Sequence, residues 1–412
     1  MNLLKYIGAR AVSQLGDAML PVALTFGVLQ AGYGATGVGL VLAAHLFPFV
    51  ALLLLGGVLA DHLHPKPVLL AADAVRVVSM GFMAVQFASG EPVLWQLVVA
   101  QAVTGTAGAM FEPGSKGLVP HVAPGRVREG YAYLRISESV VTLAGPALAG
   151  LLLAFVGPAV VIAVDCASYL LSCVLIALVK LPARPPAKGR PRITADLREG
   201  WRELRARTWL WVVIGSFGLL GLFLWGPYQV LVPTILIEDH DATTYGLLQA
   251  VFGAGAVCGG FVGLRREPRR PLYVGALAMI AFVPQLWLIA TGAPVAIIGI
   301  AMFAAGAGRA FWGVMWSTSV QSQVPPGALN RISAYEVMGS MLLLPVGSTL
   351  AGPASTAFGT TAVLVAAGCA GLLAFASLVA VPAVRGLTSG TAGRTVTGSS
   401  VVPESETATV RE

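Results

Sequence analysis

Four charged side chains lie well inside long apolar stretches of this sequence, away from the ends of those stretches: Asp17, Glu112, Asp165 and Arg309. A charge within a segment long enough to cross a bilayer is costly, so it usually faces a cavity or a partner of opposite charge. A carboxyl group in such a cavity can carry a proton or bind part of a substrate. We therefore predict that these four residues take part in proton coupling or substrate binding.

A structural interpretation stays open for each of the four. Asp17 could form an ion pair with Arg10 or with another cation. Lys116 follows Glu112 by one helical turn, where it could neutralise that carboxylate. The other two could also be held in structural pairs.

Polar and aromatic side chains within the apolar runs are candidates to line a cavity for an amphiphilic molecule. These candidates are Gln14, Trp225, Tyr228, Gln249, Gln285 and Trp312. Tryptophan is also enriched at membrane–water interfaces, so a structural role stays open for any single aromatic residue.

The composition places these residues in a membrane protein. Hydrophobic residues make up 56% of the 412 residues and charged residues only 11%, whereas about a quarter of the residues in a soluble protein are charged. The net charge of +7 does not indicate nucleic-acid binding, because the basic residues occur in short loops between apolar runs. The four cysteines lie in apolar runs without metal-ligand spacing, so we expect neither a metal site nor a cofactor.

The apolar runs predict about twelve membrane-spanning helices of roughly 20 residues each. Their predicted positions are 9–31, 37–60, 67–89, 93–115, 132–156, 159–180, 209–233, 245–264, 271–291, 294–317, 332–356 and 359–382. The predicted fold class is therefore an all-α polytopic membrane protein.

Charges in the connecting loops predict the orientation in the membrane. One alternating set of loops carries the Lys and Arg residues, whereas the other set carries only Glu91 and the cluster at residues 238–241. Basic loops remain on the cytoplasmic side. We expect a multi-pass protein of the cell membrane with both termini in the cytoplasm.

A polar segment divides the chain into two similar parts. Residues 182–207 contain eight Lys or Arg and three acidic residues, and their apolar residues from Ile193 onward recur at helical spacing. This pattern is typical of a basic amphipathic helix on a membrane surface, although a solvated linker helix remains an alternative. The predicted domains are a first six-helix half at 1–181, a linker at 182–208, a second half at 209–384 and a disordered tail at 385–412.

An internal repeat relates the two halves. A shift of about 202 residues places Pro124-Gly125 on Pro326-Gly327, Tyr133 on Tyr335, and Ala149-Gly150 on Ala351-Gly352. Two pseudo-symmetric six-helix halves bind substrate between them near the midplane and alternate access by rocking.

Several motifs resemble those of the major facilitator superfamily. The segment GVLADHLHPK, from Gly57 through Asp61 to Lys66, looks like the signature loop of that superfamily, and Asp73-x-x-Arg76 also fits it. The resemblance covers about residues 5–385. It implies that these residues form a conformational latch on the cytoplasmic side.

Two further motifs narrow the resemblance to exporters. Gly145-Pro146 followed by Gly150 is similar to the Gly-Pro motif of exporters in that superfamily. The segment DLREGW, residues 196–201, resembles the linker of the subfamily that holds enterobactin-type siderophore exporters and macrolide-efflux proteins. The resemblance therefore implies export of an amphiphilic small molecule.

We predict a secondary transporter that exchanges protons for an amphiphilic small molecule, with the lipid bilayer as its surroundings and the oligomeric state left open. No GxxxxGK[ST] nucleotide loop occurs, and we do not predict an enzyme. The alternatives are an importer of a small solute, a membrane receptor or scaffold without transport, and a membrane enzyme. The only hint of the last is His62-x-His64, a weak metal-ligand pair without a third ligand.

Overall fold

The structure is a computed structural model that describes residues 2–62, 65–123, 125–179, 201–324 and 329–388. The helices before residue 180 are Asn2–Gln30, Gly34–His62, Pro65–Ala88, Leu94–Val122 and Val127–Ala177. These mostly apolar segments form helices because a backbone in hydrocarbon can satisfy its hydrogen bonds only within a helix or a closed barrel. The described ranges contain no strand.

Helices after residue 200 are more often interrupted. Thr208–Leu220 and Gly226–Asp239 are joined through a π-helical turn, Gly221–Trp225. Pro271–Met279 and Val283–Ala290 are joined through a 3₁₀ turn, Ile280–Phe282. The remaining helices are Ala242–Arg265, Val295–Gln323, Leu329–Met341, Leu344–Phe358, Thr360–Ala380 and the short Pro382–Arg385.

Eleven helical segments in the described ranges are long and apolar enough to cross a membrane, and one of them contains two crossings. The helix Val127–Ala177 has 51 residues, which would extend about 76 Å if straight, against a hydrocarbon core of about 30 Å. It reverses at Gly157, where φ is 75° and ψ is 174°. Gly145 and Tyr169, each twelve residues from Gly157, both contact the first helix near residues 17–18.

The two arms of this helix therefore form a hairpin that crosses the membrane twice. We number the spans one to twelve in chain order, with the fifth span before Gly157 and the sixth after it. The predicted all-α polytopic fold with about twelve spans is confirmed.

The turn at Gly157 depends on a backbone conformation that favours glycine. A side chain added there would meet no atom within 4 Å, so Gly157→Ala would act through backbone strain alone. We expect a loss of about 1 kcal/mol in stability, measured as a lower melting temperature in detergent. Gly260→Ala, at a helical glycine that also has open space, serves as the control and should be neutral or slightly stabilising.

Within the described ranges, spans one to six contact spans seven to twelve closely at one end of the molecule, which we call the Gly157 end. Here an added Cβ on Gly150 would lie 2.8 Å from the Cα of Gly246, and one on Gly352 would lie 2.5 Å from the backbone nitrogen of Thr36. Gly150 and Gly352 are the residues that the 202-residue repeat places at equivalent positions. Each lets two helices from different parts of the chain pack backbone against backbone.

The predicted linker and tail lie mostly outside the described residues, which exclude 180–200 and 389–412. Residues 201–206 are helical. Leu204 packs into the core, while Trp201 is half exposed and lies 5.9 Å from Tyr335, centroid to centroid. The domain boundaries themselves stay predictions.

Candidate functional site

Asp17 is a charged residue at the middle of the 29-residue first span, and it is exposed. Arg10 and Leu24, seven residues away on either side and therefore on the same helix face, are only 4% and 2% exposed. The first span also contacts the second, fourth, seventh and eighth spans and the hairpin. The exposure of Asp17 therefore marks an opening in the interior of the molecule, which we call the central cavity.

The sixth span supplies the partners of Asp17. Tyr169 is almost fully buried and its hydroxyl donates a hydrogen bond to the Asp17 carboxylate. Asp165 lies one turn before Tyr169 and is completely buried. Among the described residues its Oδ2 finds no hydrogen-bond partner, and its Oδ1 lies 3.4 Å from the Ser168 hydroxyl.

Gly16 is what allows this approach of the first and sixth spans. A Cβ at Gly16 would overlap the Asp165 carboxylate and the Ser168 hydroxyl. The missing side chain thus places two carboxyl groups, one exposed to the cavity and one behind it, on adjoining helices.

A buried arginine lies next to this carboxylate pair. The guanidinium of Arg76 stacks 4.6 Å from the Phe111 ring and 5.1 Å from the Tyr169 ring, centroid to carbon. It lies 3.7 Å from Asp73, whose other oxygen accepts a 2.8 Å hydrogen bond from Ser172. The third, fourth and sixth spans are joined through these contacts.

Asp73 and Arg76 therefore make their contacts inside the first six spans. Lys66 donates two 2.7 Å hydrogen bonds to the carbonyls of Ala177 and Val179, at the end of the sixth span. Gly57 and Asp61 belong to the second span, but their side-chain surroundings lie outside the described part, as does the His62-x-His64 pair. The latch role of these residues stays a prediction.

Arg10 forms its ion pair with Glu112 and not with Asp17. The Arg10 Nη2 lies 3.0 Å from the Glu112 carboxylate, with side-chain exposures of 5% and 31%. The amide of Gln14 donates a 3.4 Å hydrogen bond to Glu138, so the first span is also tied to the fifth. The side chain of Lys116 lies outside the described part.

We expect the pair between Arg10 and Glu112 to be structural. Arg10→Gln should destabilise the protein by about 1–3 kcal/mol, because the half-buried Glu112 carboxylate loses its ion pair with Arg10. The exposure of Glu112 keeps the cost below that of a fully buried pair. The double variant Arg10→Gln/Glu112→Gln should be less destabilised than the sum of the singles. Melting temperatures of the four proteins test this cycle, and additive losses would contradict it.

Arg309 on the tenth span faces the cavity from the other part of the chain. It lies at the middle of the 29-residue helix Val295–Gln323 and is exposed. Its guanidinium carbon lies 5.5 Å from the centroid of the Trp225 ring. Trp225 and Tyr228 both pack on the buried Phe282, with centroid distances of 4.6 and 5.0 Å.

The other predicted cavity residues are half-buried or buried in the packed interior. Gln249 is half-buried and donates a 2.8 Å hydrogen bond to the Tyr245 hydroxyl. Gln285 is completely buried, and its amide atoms have no hydrogen-bond partner among the described residues. Trp312 is buried and stacks on Phe217 at 5.5 Å.

The Gly145-Pro146 motif lies against the first span. A Cβ at Gly145 would overlap Ala18, next to Asp17. Pro146 places its carbonyl 3.1 Å from where a Cβ on Gly246 would lie. This motif thus packs both against the Asp17 helix and against the eighth span.

Two apolar grooves lie apart from these charges. One, of about 620 Å³, runs between the third and fourth spans and is lined by residues such as Phe82 and Trp95. The other, of about 570 Å³, lies between the eighth and tenth spans and includes Leu247 and Phe303. Because the charged residues do not line them, we place the candidate site at the central cavity.

Reasoning from the sequence missed Tyr169, the direct partner of Asp17. The signal was present as Asp165-x-x-x-Tyr169, which puts both side chains on one face of the sixth span.

The spans and the charged groups at mid-depth define a membrane transport protein. The chain matches the family model of the Major Facilitator Superfamily over residues 7–342, and it belongs to that superfamily. The resemblance found in the motifs is thereby confirmed. The superfamily consists of transporters, not enzymes, so the protein moves a small molecule across a membrane.

Relatives and solved structures agree with this assignment. The chain is 27% identical to the multidrug efflux pump Tap of Mycobacterium tuberculosis, covering 92% of this chain and 93% of Tap. It is 22% identical to macrolide efflux protein A of Streptococcus pyogenes, covering 83% and 86%. The fold superposes on a D-xylose-proton symporter with a TM-score of 0.69 at 16% identity, covering 94% of this chain and 98% of the symporter.

Proposed function

We propose that the protein is a proton-coupled exporter of an amphiphilic small molecule, in which Asp17 exchanges a proton for substrate. The observation that carries the proposal is an exposed carboxylate at the middle of the first span, hydrogen-bonded to Tyr169. A carboxyl group within a spanning helix that is open to a cavity can take up and release protons as access alternates.

The neighbours of Asp17 support this assignment over one to Glu112. Glu112 is held by Arg10 at 3.0 Å, so its charge is already compensated. Asp17 has a hydroxyl partner, which can remain hydrogen-bonded to the carboxyl group in either protonation state. Asp165 lies behind the cavity wall and is fully buried, where it is placed to respond to Asp17 but not to touch substrate.

The direction of transport is proposed from the relatives and from the loop charges. Tap and macrolide efflux protein A are both described as efflux proteins, and the charges of the loops favour a cytoplasmic position for the linker and both termini. The close contacts at Gly150 and Gly352 then lie at the outer surface. In this orientation, the close helix contacts at Gly150 and Gly352 support a conformation in which the central cavity is closed to the outside.

Proteoliposomes with the purified full-length protein test the coupling. The probes are ethidium, rhodamine 123 and rhodamine 110, with a pH-sensitive dye inside the vesicles. Export by exchange predicts that dye and protons move in opposite directions and that a proton gradient drives dye uphill. Movement in the same direction would indicate an importing symporter, and dye flux without proton flux would rule out the coupling.

A further inference from the structure

Arg309 is an intramembrane cation that faces the central cavity, not the lipid. Ile300, nine residues earlier and half a turn away around the helix, is 72% exposed and marks the lipid side. Met302 and Trp316, seven residues from Arg309 on its own face, are at most 9% exposed. Arg309 is exposed between them, so its opening leads inward.

No carboxylate of the described residues neutralises Arg309. The ion pairs found there join Arg10 to Glu112, Arg76 to Asp73, Arg126 to Glu129 and Arg207 to Glu203. The contact that Arg309 makes is with the face of Trp225. An aromatic face orients a guanidinium without using up its hydrogen-bond donors, so the donors remain free for a ligand.

The surroundings of Arg309 are built as a site. A π-helical turn ends at Trp225, and such turns are frequent at functional positions. Trp225 is fixed edge-on by Tyr228 and by the buried Phe282. Tyr228 lies within electrostatic reach of Arg309.

We propose that Arg309, Trp225 and Tyr228 form an anion subsite, and that the transported molecule carries a carboxylate or similar anionic group on an apolar body. A guanidinium with free donors binds a carboxylate in a bidentate manner, and the Trp225 ring packs beside the apolar part. Asp17, like Arg309, lies at the middle of a 29-residue span, which gives the two charges a similar depth in the membrane. The two charges together fit a zwitterion, with its cationic end toward Asp17.

This inference rests on the proposed function in that the central cavity holds the substrate. The first experiment therefore measures the subsite without transport or a proton gradient. Gly313 lies one turn after Arg309 on the same face, and a side chain there meets nothing within 4 Å. Gly313→Cys places a thiol beside the guanidinium without disturbing it.

The thiol is reacted with two methanethiosulfonates of similar size, the anionic sulfonatoethyl and the cationic trimethylammonioethyl reagent. Mass spectrometry of the peptide reads the introduced thiol separately from the native cysteines. Adding Arg309→Gln should lower the ratio of the modification rate with the anionic reagent to that with the cationic reagent by about tenfold. One charge at short range acts oppositely on the two reagents. Arg265→Gln is the matched control. Arg265 also stacks on an aromatic ring, 4.2 Å from the Phe261 centroid, but it lies at the end of the eighth span, so its loss should leave the ratio unchanged.

A thiol that neither reagent reaches, or a ratio that Arg309→Gln does not alter, would overturn the subsite. Binding of two dyes then tests the substrate class: rhodamine 110, which has a free carboxylate, and rhodamine 123, its methyl ester. Fluorescence anisotropy should show tighter binding of rhodamine 110 than of rhodamine 123. Arg309→Gln should raise the dissociation constant of rhodamine 110 about tenfold and that of rhodamine 123 by less than about twofold.

An equal loss of affinity for both dyes would show that Arg309 serves packing. If the thiol reacts but neither dye binds, the proposed substrate class is overturned. Arg309→Lys should retain part of the preference for rhodamine 110, because the charge persists but the bidentate geometry does not. Failure of proton coupling in vesicles, by contrast, would leave both of these results intact and would concern the proposed function alone.

Discussion

Replacing Asp17 with Asn is expected to abolish dye-driven proton movement in proteoliposomes, down to the level of protein-free vesicles. The amide keeps the size of the side chain and its hydrogen bond with Tyr169 but cannot release a proton. Exchange of labelled for unlabelled dye across the membrane should persist, because the cavity and its rocking motion are unaltered. The expected phenotype is therefore uncoupling with continued exchange.

Three further variants locate this effect. Tyr169→Phe removes the hydroxyl partner of Asp17 and should shift the pH dependence of transport without abolishing it. Asp239→Asn, at an exposed carboxylate near the Gly157 end, is the matched control and should behave as wild type. If Asp165→Asn uncouples transport and Asp17→Asn does not, the buried carboxyl group is the proton carrier and our assignment is wrong.

Gly150→Val and Gly352→Val are expected to prevent closure of the Gly157 end. An added side chain at either position would overlap the backbone of a helix from the other part of the chain, which cannot move aside as a flexible side chain can. Overpacking of this kind costs about 1–3 kcal/mol, which would shift a two-state equilibrium by about 5- to 150-fold. Transport should fall because one of the two alternating conformations is disfavoured.

Spin labels at Glu91 and Asp239, which are exposed near the Gly157 end, measure this shift directly. Their distance distribution should move to longer values in both glycine variants, and the double variant should open further. Gly215→Val serves as control, because a side chain at Gly215 meets nothing within 4 Å. Unchanged distances together with normal transport would show that the contact is dispensable.

The sequence alone was sufficient for the fold class and the family. Long apolar runs must become helices in a bilayer, so the predicted spans match the observed helices closely; even the hairpin at Gly157 was anticipated as two spans. The signature residues from Gly57 to Arg76 identified the superfamily. The offset of 202 residues also linked Gly150 with Gly352, whose shared role in helix contact only the structure revealed.

The arrangement of the site was decided by the tertiary structure. In a soluble protein, the polar face of a helix points to solvent, so the sequence shows which face is buried. A membrane helix is apolar on both its lipid side and its packed side. The sequence therefore could not show that Trp312 and Gln285 lie in the packed interior or that Arg309 opens to the cavity. Nor could it choose Arg10 as the partner of Glu112 and Tyr169 as that of Asp17, because these pairs depend on helix rotation and neighbours, which only packing sets.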